Sequence, residues 1–278
     1  MSMAWHRSGA RWLCLVWMLG VGLWLAACAQ PQAPAHLDTL TTPPPDTVRQ
    51  RAARRLGLAT AYFEQGQTTV AQQEVRAALQ IDPNYAEAYS LLGLIHQRDN
   101  APALAEQSFQ QALQLAAVPT VHAAELASVQ HNYGWFLCQH NHFALAQTQF
   151  ARALSQPGYA AAAKTWTTSG LCQLRAGQRV EAHNSLQQAL RLQPNNGLVR
   201  YQLAELDWQD GNPRRAQAVL SPLNTSAQAS PESLWLGIQL ARALAQQPQM
   251  LQLGQQLTQR YPQSTQAQSW VERKFEDK

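Results

Sequence analysis

The sequence predicts an all-α protein whose helical hairpins stack into a right-handed superhelix. The first observation is a spacing of 34 residues between similar segments, namely Leu58-Ala59 and Leu92-Gly93, Ala71 and Ala105, and Ala78-Leu79 and Ala112-Leu113. The second is the composition, which is rich in Ala, Leu and Gln with only 14% charged residues, as expected where helices pack on helices. One hairpin alone cannot bury its apolar face, so neighbouring hairpins must stack.

The spacing and the residue types together are those of the tetratricopeptide repeat, a 34-residue unit of two antiparallel helices. Small residues at positions 8, 20 and 27 of each unit allow the two backbones to approach closely. The repeat domain is expected to span 49–278 and to end in a capping helix within 263–278. We expect about six repeats, at residues 52–85, 86–119, 127–160, 163–196, 197–229 and 230–262.

Residues 1–27 predict a secretory signal. Arg7 and Arg11 precede an uncharged run from Trp12 to Ala27, and small residues close the run, an order typical of a signal that is cleaved. The run has 16 residues, fewer than the roughly 20 that a spanning helix prefers. We therefore expect removal of this segment, with an uncleaved membrane anchor as the alternative.

Cys28 directly follows Leu25-Ala26-Ala27, an order that resembles the lipobox of bacterial lipoproteins. It predicts a covalent lipid on Cys28, and several acyl chains make a stable anchor. By lipoprotein sorting, Ala29 rather than Asp at the next position implies the outer membrane, with the protein facing the periplasm. Residues 28–48 contain five prolines and are expected to form a disordered tether.

Three irregularities interrupt the repeats. Gly93 and Gly134 are 41 residues apart, so seven extra residues either lengthen the loop near Pro119 or extend the next helix through Val121–Leu126. Pro222 is expected to break the second helix of repeat five. Repeat six lacks the central glycine of its turn and is degenerate.

The first helices of the repeats predict a binding groove. In this kind of repeat, positions 2, 5, 9, 12 and 13 of the first helix line the concave side. An exposed apolar patch usually marks a partner site, so we expect the groove to take an apolar helix or strand of another protein. The competing interpretation is that some of these side chains only pack the superhelix. The predicted apolar wall consists of Leu56, Phe63, Leu94, Trp135, Leu171, Leu174, Tyr201 and Trp208.

The charges of the chain exclude some partners. Without Arg7 and Arg11 there are 19 basic and 17 acidic residues, so the mature chain is nearly neutral, and no basic run typical of nucleic-acid binding occurs. Some of these repeats bind a carboxylate with Lys and Asn side chains that face inward together. Such pairs are mostly missing here, and Lys164 and Arg175 stand alone, without these partners. We expect neither a nucleic acid nor a small-molecule substrate as ligand.

Cys138 and Cys172 are the cysteines that remain once Cys14 is cleaved and Cys28 is lipidated. They fall on first helices of adjacent repeats, so in an oxidising periplasm they form a disulfide or remain as buried free thiols. His131, Cys138, His140 and His142 are close in sequence, but the turn at Asn141 scatters them, whereas zinc needs four converging ligands. We expect no metal, no cofactor other than the lipid, and no enzymatic activity.

The whole arrangement resembles the type IV pilus biogenesis and stability lipoproteins, or pilotins. The residues that carry the resemblance are Leu25-Ala26-Ala27-Cys28, Asn132-Tyr133-Gly134-Trp135-Phe136-Leu137-Cys138, Ser169-Gly170-Leu171-Cys172, and Leu236-Gly237-Ile238 with Tyr261-Pro262. The resemblance implies an outer-membrane lipoprotein of about six tetratricopeptide repeats. It also implies that the protein binds the pilus secretin, escorts it to the outer membrane and promotes its multimerisation.

Two other functions share these generic features. One is a scaffold lipoprotein that regulates cell-wall enzymes or outer-membrane protein assembly, in which case the partner is another envelope protein. The other is an assembly chaperone of heme lyases, which usually has a transmembrane anchor rather than a lipobox. Loss of twitching motility on deletion would favour the pilus function.

Overall fold

The structure is a computed structural model that describes residues 47–117 and 123–272. These residues form six pairs of α-helices followed by one shorter helix, and no strand occurs among them. The predicted all-α repeat fold with a final helix is therefore confirmed. The expected signal, Cys28 and almost all of the tether lie outside the described residues, as do Pro119 in the insertion and residues 273–278.

The helix bounds follow the repeat spacing closely. The thirteen helices of the described residues are α1 (Val48–Glu64), α2 (Thr68–Ile81), α3 (Ala86–Arg98), α4 (Pro102–Ala116), α5 (Ala123–Gln139), α6 (Phe143–Leu154), α7 (Ala162–Arg175), α8 (Arg179–Leu192), α9 (Gly197–Gln209), α10 (Pro213–Asn224), α11 (Pro231–Ala243), α12 (Gln247–Arg260) and α13 (Thr265–Val271).

Side chains at the helix starts satisfy backbone N–H groups that have no partner inside the helix. Thr47 and Ser230 form capping boxes, in which the cap hydroxyl accepts from the third helical N–H and the third side chain accepts from the cap N–H. Asn196 and Ser264 cap α9 and α13 by accepting one such bond each. Each cap of this kind stabilises a helix by roughly 1 kcal/mol.

The turn inside each pair needs one residue in the left-handed conformation. Glycine fills this place at Gly66, Gly177 and Gly211, whereas Asn100 and Asn141 fill it with φ of 58° and 63°. Asn tolerates this region better than most residues, so repeats two and three keep the same turn. Repeat six places Ala245 there with φ 56°, which preserves the turn that the missing glycine made doubtful.

Glycines in the first helices bring the two helices of a pair into close contact. A Cβ added at Gly93, Gly134 or Gly170 would lie within 2.8 Å of a side-chain atom of Phe109, Phe150 or Leu186 in the second helix. All three of those side chains are fully buried. The requirement for a small residue at position 8 is thus a packing requirement.

The pairs stack because each second helix also packs against the first helix of the next pair, as α2 does on α3 and α6 on α7. First helices contact each other along the stack, among them α1 with α3, α3 with α5 and α5 with α7. Helix α5 already begins at Ala123, so part of the seven-residue insertion extends this helix.

Pro222 does not break α10, contrary to the sequence-based expectation. The helix runs from Pro213 to Asn224 with Pro222 inside its last turn, where the side chain is exposed. A proline near a helix end removes a single backbone bond and has little helix left to disrupt. The buried side chain of Asn224 donates from Nδ2 to the carbonyl O of Ser233 (2.9 Å), which ties α10 to α11.

Helix α13 covers the end of the stack. Trp270 packs on Gly254, where an added Cβ would come within 2.2 Å of the indole, and Ala267 is buried in the same cluster as Leu253 and Leu257. This is the role expected of a capping element in a repeat array. None of the described helices has the length and apolar character required to cross a membrane.

Candidate functional site

Two adjoining cavities open on the first helices of repeats one to four. The smaller, of about 370 Å³, is lined from α1, α3, α5 and α7. The larger, of about 520 Å³, is lined from the same four helices. Phe63, Leu94, Asn132 and Lys164 line both cavities, so the two form one continuous feature, referred to below as the groove.

Five of the eight predicted wall residues lie in the groove. Leu56 lines the smaller cavity, Trp135 and Leu171 line the larger, and Phe63 and Leu94 line both. Leu56 is only 8% exposed and belongs mainly to the core of repeats one and two, whereas the other four are partly exposed. The apolar contact surface of the groove is therefore centred on Phe63, Leu94, Trp135 and Leu171.

The remaining three predicted residues line neither cavity. Leu174 packs against a core cluster that includes Leu186 and Leu203. Tyr201 and Trp208 pack against the core of α9, α10 and α11. These side chains are half-buried and fill space between neighbouring helices, so the competing interpretation, packing of the superhelix, describes them better.

The groove is also more polar than the sequence predicted. Four charged residues line it, and all come from positions 2 and 13 of the repeats: Glu87 and Lys164 at position 2, and Glu64 and Arg98 at position 13. The sequence-based prediction of the wall used positions 5, 9 and 12 and therefore did not include the charged residues at positions 2 and 13. The groove is amphipathic rather than largely apolar.

Arg98 lies at the edge of the larger cavity and is held by Phe63. Its guanidinium carbon is 3.7 Å from the centroid of the Phe63 ring, a cation–π contact, and its Nη1 donates to the carbonyl O of Phe63. These contacts join α1 to α3. They also fix a positive charge beside the aromatic surface of the groove.

Asn132 and Lys164 face the groove from α5 and α7. The Nδ2 of Asn132 donates to Oγ of Ser90 (3.0 Å), which ties α5 to α3. Burial, and then the positive charge of Lys164, lower the pKa of the neighbouring His131 from 6.5 to about 4. His131 is therefore neutral at pH 7, and its Nδ1 is 2.9 Å from Oγ1 of the buried Thr165.

The acidic side of the groove is partly compensated. The hydroxyl of Tyr85 donates to Oε2 of Glu87 (3.2 Å), and burial together with the charge of Glu125 raises the pKa of Glu87. Arg49 lies between Asp82 (2.9 Å) and Glu125 (3.2 Å). Arg49 thereby connects the start of α1 to the start of α5.

Cys138 and Cys172 form a disulfide in the structure, with their Cα atoms 5.9 Å apart. Both residues are fully buried. The bond connects α5 and α7, the two helices that contribute Trp135, Asn132, Lys164 and Leu171 to the groove. Of the two alternatives that the sequence left open, the structure thus has the bonded one.

The three histidines near Cys138 do not converge with it. His131 is bonded to Thr165, the ring of His140 packs 4.6 Å from that of Phe136, and His142 precedes α6. No group of three metal-binding side chains exists within residues 47–117 and 123–272.

The fold and the groove define a class of protein, a helical repeat scaffold with an open groove along its first helices. The chain contains tetratricopeptide repeats. Three repeat models match parts of it, one described as TPR repeat at residues 59–100 and two described as tetratricopeptide repeat at residues 86–118 and 173–232. All three matching models describe repeats, and none is a catalytic family.

Two relatives are similar in sequence. The type IV pilus assembly protein PilF of Pseudomonas aeruginosa is 27% identical over 256 residues, which cover 92% of this chain and 96% of that protein. An uncharacterised protein of Haemophilus influenzae is 31% identical over 143 residues, which cover 51% of this chain and 75% of that protein.

Solved structures of two type IV pilus proteins are similar to this one in fold. The structure of Pseudomonas aeruginosa PilF superposes with a TM-score of 0.68 at 25% identity and covers 82% of this chain and 100% of that one. PilW, described as a widely conserved type IV pilus biogenesis factor, gives 0.64 at 25% identity and covers 80% and 99%. Yeast Tom70, at 19% identity and TM-score 0.57, shares the fold alone.

Proposed function

We propose that this protein acts in type IV pilus biogenesis as a non-enzymatic scaffold. The observation that carries the proposal is the similarity to PilF over nearly the full length of both chains. A second support is the similarity in fold to both PilF and PilW. Repeat proteins can share a fold and still differ in function, so the pilus role is the part that experiment must test.

Within that role, the partner that we propose is the pilus secretin, bound in the groove. Secretin subunits have to expose apolar surface before they close into a ring, and Phe63, Leu94, Trp135 and Leu171 offer apolar contacts that could cover such surface. The size of the groove, about 370 and 520 Å³ in its two parts, suits a short segment of polypeptide rather than a whole domain.

The proposed location is the outer membrane, facing the periplasm, with a lipid on Cys28. This part of the proposal depends on the lipobox-like order Leu25-Ala26-Ala27-Cys28. A lipid anchor would concentrate the protein and its partner at one membrane, so that a modest affinity is sufficient. The protein would then escort the secretin and promote its multimerisation there.

Charge substitutions in the apolar part of the groove test secretin binding. Phe63→Glu and Trp135→Glu should weaken binding by at least about tenfold, because a carboxylate would replace a central aromatic contact. Helicity should stay unchanged, since both side chains are only partly buried. Co-precipitation of the secretin from detergent-solubilised envelopes gives the readout.

Val180→Glu is the matched control. Val180 is 72% exposed on α8 and lines neither cavity, so the substitution introduces the same charge away from the groove. This variant is expected to recover as much secretin as the unsubstituted protein does. Equal recovery with both groove variants would remove the groove from the proposal. Loss of a cell-wall enzyme rather than of the secretin would favour the alternative scaffold function.

A further inference from the structure

The larger cavity carries positive charge without a matching negative charge. Its charged lining residues are Arg98 and Lys164, and no carboxylate lines it. None of the ion pairs within residues 47–117 and 123–272 involves either cation. A concave surface of low polarity strengthens the attraction of such charges for an anion.

Two amide side chains in the same cavity have unused hydrogen-bonding capacity. Oε1 of Gln97 is buried and accepts no hydrogen bond from the described residues. A buried acceptor without a donor is costly, but this oxygen is inaccessible from the cavity as the side chain lies, so of the two amides only Asn132 offers a hydrogen bond to a ligand. Asn132 uses one N–H on Ser90, and the second N–H of its amide is available to an incoming oxygen.

Apolar side chains border these polar groups. Phe63 and Leu94 lie on the α1 and α3 side of the cavity, and Trp135 and Leu171 lie on the α5 and α7 side. A ligand that contacts all of these accessible groups must therefore combine hydrogen-bonding oxygens, apolar side chains and an anionic group within a short length. A polypeptide with an acidic residue has this combination.

We propose that the groove recognises a segment of the partner in which an acidic side chain is flanked by apolar ones. The carboxylate lies within reach of Lys164 and Arg98, while the flanking side chains contact the apolar residues of the cavity. Because the two cavities are continuous, the segment passes along the groove, and the carboxylate is that of an internal Asp or Glu rather than of a chain end.

This inference rests on the proposed role of the groove as the partner site, but it specifies the chemistry of the partner. It also revises the sequence-based expectation that Lys164 stands alone. The stack brings Asn132 and Arg98 to the same cavity, whereas Arg175 is directed to Asn141, to which its Nη2 donates (3.4 Å).

Photo-crosslinking in the cell envelope identifies the bound segment. A benzophenone amino acid replaces Thr168 in the larger cavity or Thr60 in the smaller one, in the full-length protein. The crosslinked peptides are then sequenced by mass spectrometry. Both positions should capture one continuous segment, with Asp or Glu next to apolar residues at the Thr168 end.

Binding of the captured segment, as a synthetic peptide, tests the charge contact. Lys164→Met should weaken binding about two- to fivefold, as expected for a partly exposed pair. Replacing the acidic residue by its amide should cost at least as much, because it also removes the contact with Arg98, and the two changes together should cost no more than the amide replacement alone. Arg191→Met, an exposed residue of α8 outside the groove, should leave the affinity unchanged.

The outcomes separate this inference from the proposed function. A secretin segment without an acidic residue, or one captured as a free chain end, overturns the inference and leaves the pilus function standing. An acidic, apolar segment from a protein outside the pilus machinery supports the inference and overturns the pilus function. Additive losses in the double substitution show that the carboxylate does not contact Lys164 and overturn the inference.

Discussion

The contact between α5 and α6 depends on the absence of a side chain at Gly134. A Cβ there would lie 2.8 Å from Cε1 of Phe150 and 3.2 Å from the carbonyl O of Ala146, and a backbone carbonyl cannot move aside as a flexible side chain can. We predict that Gly134→Ala lowers the free energy of unfolding by about 1–3 kcal/mol, the usual cost of overpacking. Urea denaturation followed by circular dichroism measures this change.

Gly57 provides the matched control within a first helix. An added Cβ at Gly57 meets no atom within 4 Å, and Ala is favoured over Gly in helices by about 0.8–1 kcal/mol. Gly57→Ala is therefore expected to raise the free energy of unfolding slightly. A similar loss of stability for both variants would contradict the packing explanation at Gly134.

Burial of His131 predicts a pH dependence of stability. The folded protein has a pKa of about 4 at this residue instead of 6.5, so the unfolded chain takes up the proton first as the pH falls. The contribution of His131 is fully present above pH 6.5 and is lost between about pH 6.5 and 4. When the pH is lowered from 7 to 4.5, the free energy of unfolding of the His131→Gln variant should fall by about 2–3 kcal/mol less than that of the unsubstituted protein.

Denaturant unfolding at the two pH values gives these differences directly. His142→Gln serves as the control, because His142 is exposed at the start of α6. Its loss of stability on acidification should equal that of the unsubstituted protein. If His131→Gln loses as much stability as the unsubstituted protein, its burial does not produce the pH effect.

At the scale of elements, the disulfide fixes α5 to α7. It closes a loop with a sequence separation of 34 residues, for which the chain-entropy estimate is about 3–4 kcal/mol of stabilisation. We predict that replacing both Cys138 and Cys172 by Ala lowers the stability by an amount in this range. Thermal unfolding with and without a reductant provides the measurement.

The reductant separates the disulfide from the packing of the thiols. The unsubstituted protein should lose stability when reduced, whereas the variant without the two cysteines should be insensitive to reductant. A reductant that leaves both proteins unchanged would show that no disulfide stabilises the mature chain.

The helices could be predicted from the sequence because the residues that define a helix pair recur within each repeat. Small residues such as Gly93 mark the first helix, and Ala105 and Ala112 mark the second, so one pattern predicts a pair in every unit. The turn at Ala245 and the continuation of α10 through Pro222 could not be predicted. The turn forms although local preference favours glycine there, and Pro222 is tolerated because it lies in the last turn of its helix. Repeat six lacks the expected glycine, and its turn nevertheless forms with Ala245 in the left-handed conformation.

At the scale of the whole molecule, the groove was only partly predictable. The position rule placed Phe63, Leu94, Trp135 and Leu171 on one surface, and the structure brings them together. Whether Lys164 of repeat four reaches the same cavity as Leu56 of repeat one depends on the rotation between successive repeats, which no single repeat encodes. The same rotation leaves Tyr201 and Trp208 among the helices of repeats five and six.

The proposed function needs two parts of the chain that act at a distance, the groove and the lipid proposed on Cys28. If the anchor only concentrates the protein at the membrane, its loss lowers the effective concentration but leaves the affinity of the groove unchanged. We predict that Cys28→Ala retains secretin binding in detergent extracts but that secretin multimers in the outer membrane decrease strongly. Membrane fractionation with immunoblotting of the secretin measures both.

The control for this prediction is the variant with Ala at Cys138 and Cys172, which keeps Cys28. It should still direct the secretin to the outer membrane, since it loses a crosslink between helices and not the anchor. Normal secretin multimers in the outer membrane of cells with Cys28→Ala would contradict an escorting role for the lipid. The groove would then act on the secretin without a need for attachment to the membrane, and a soluble periplasmic scaffold would account for the same fold.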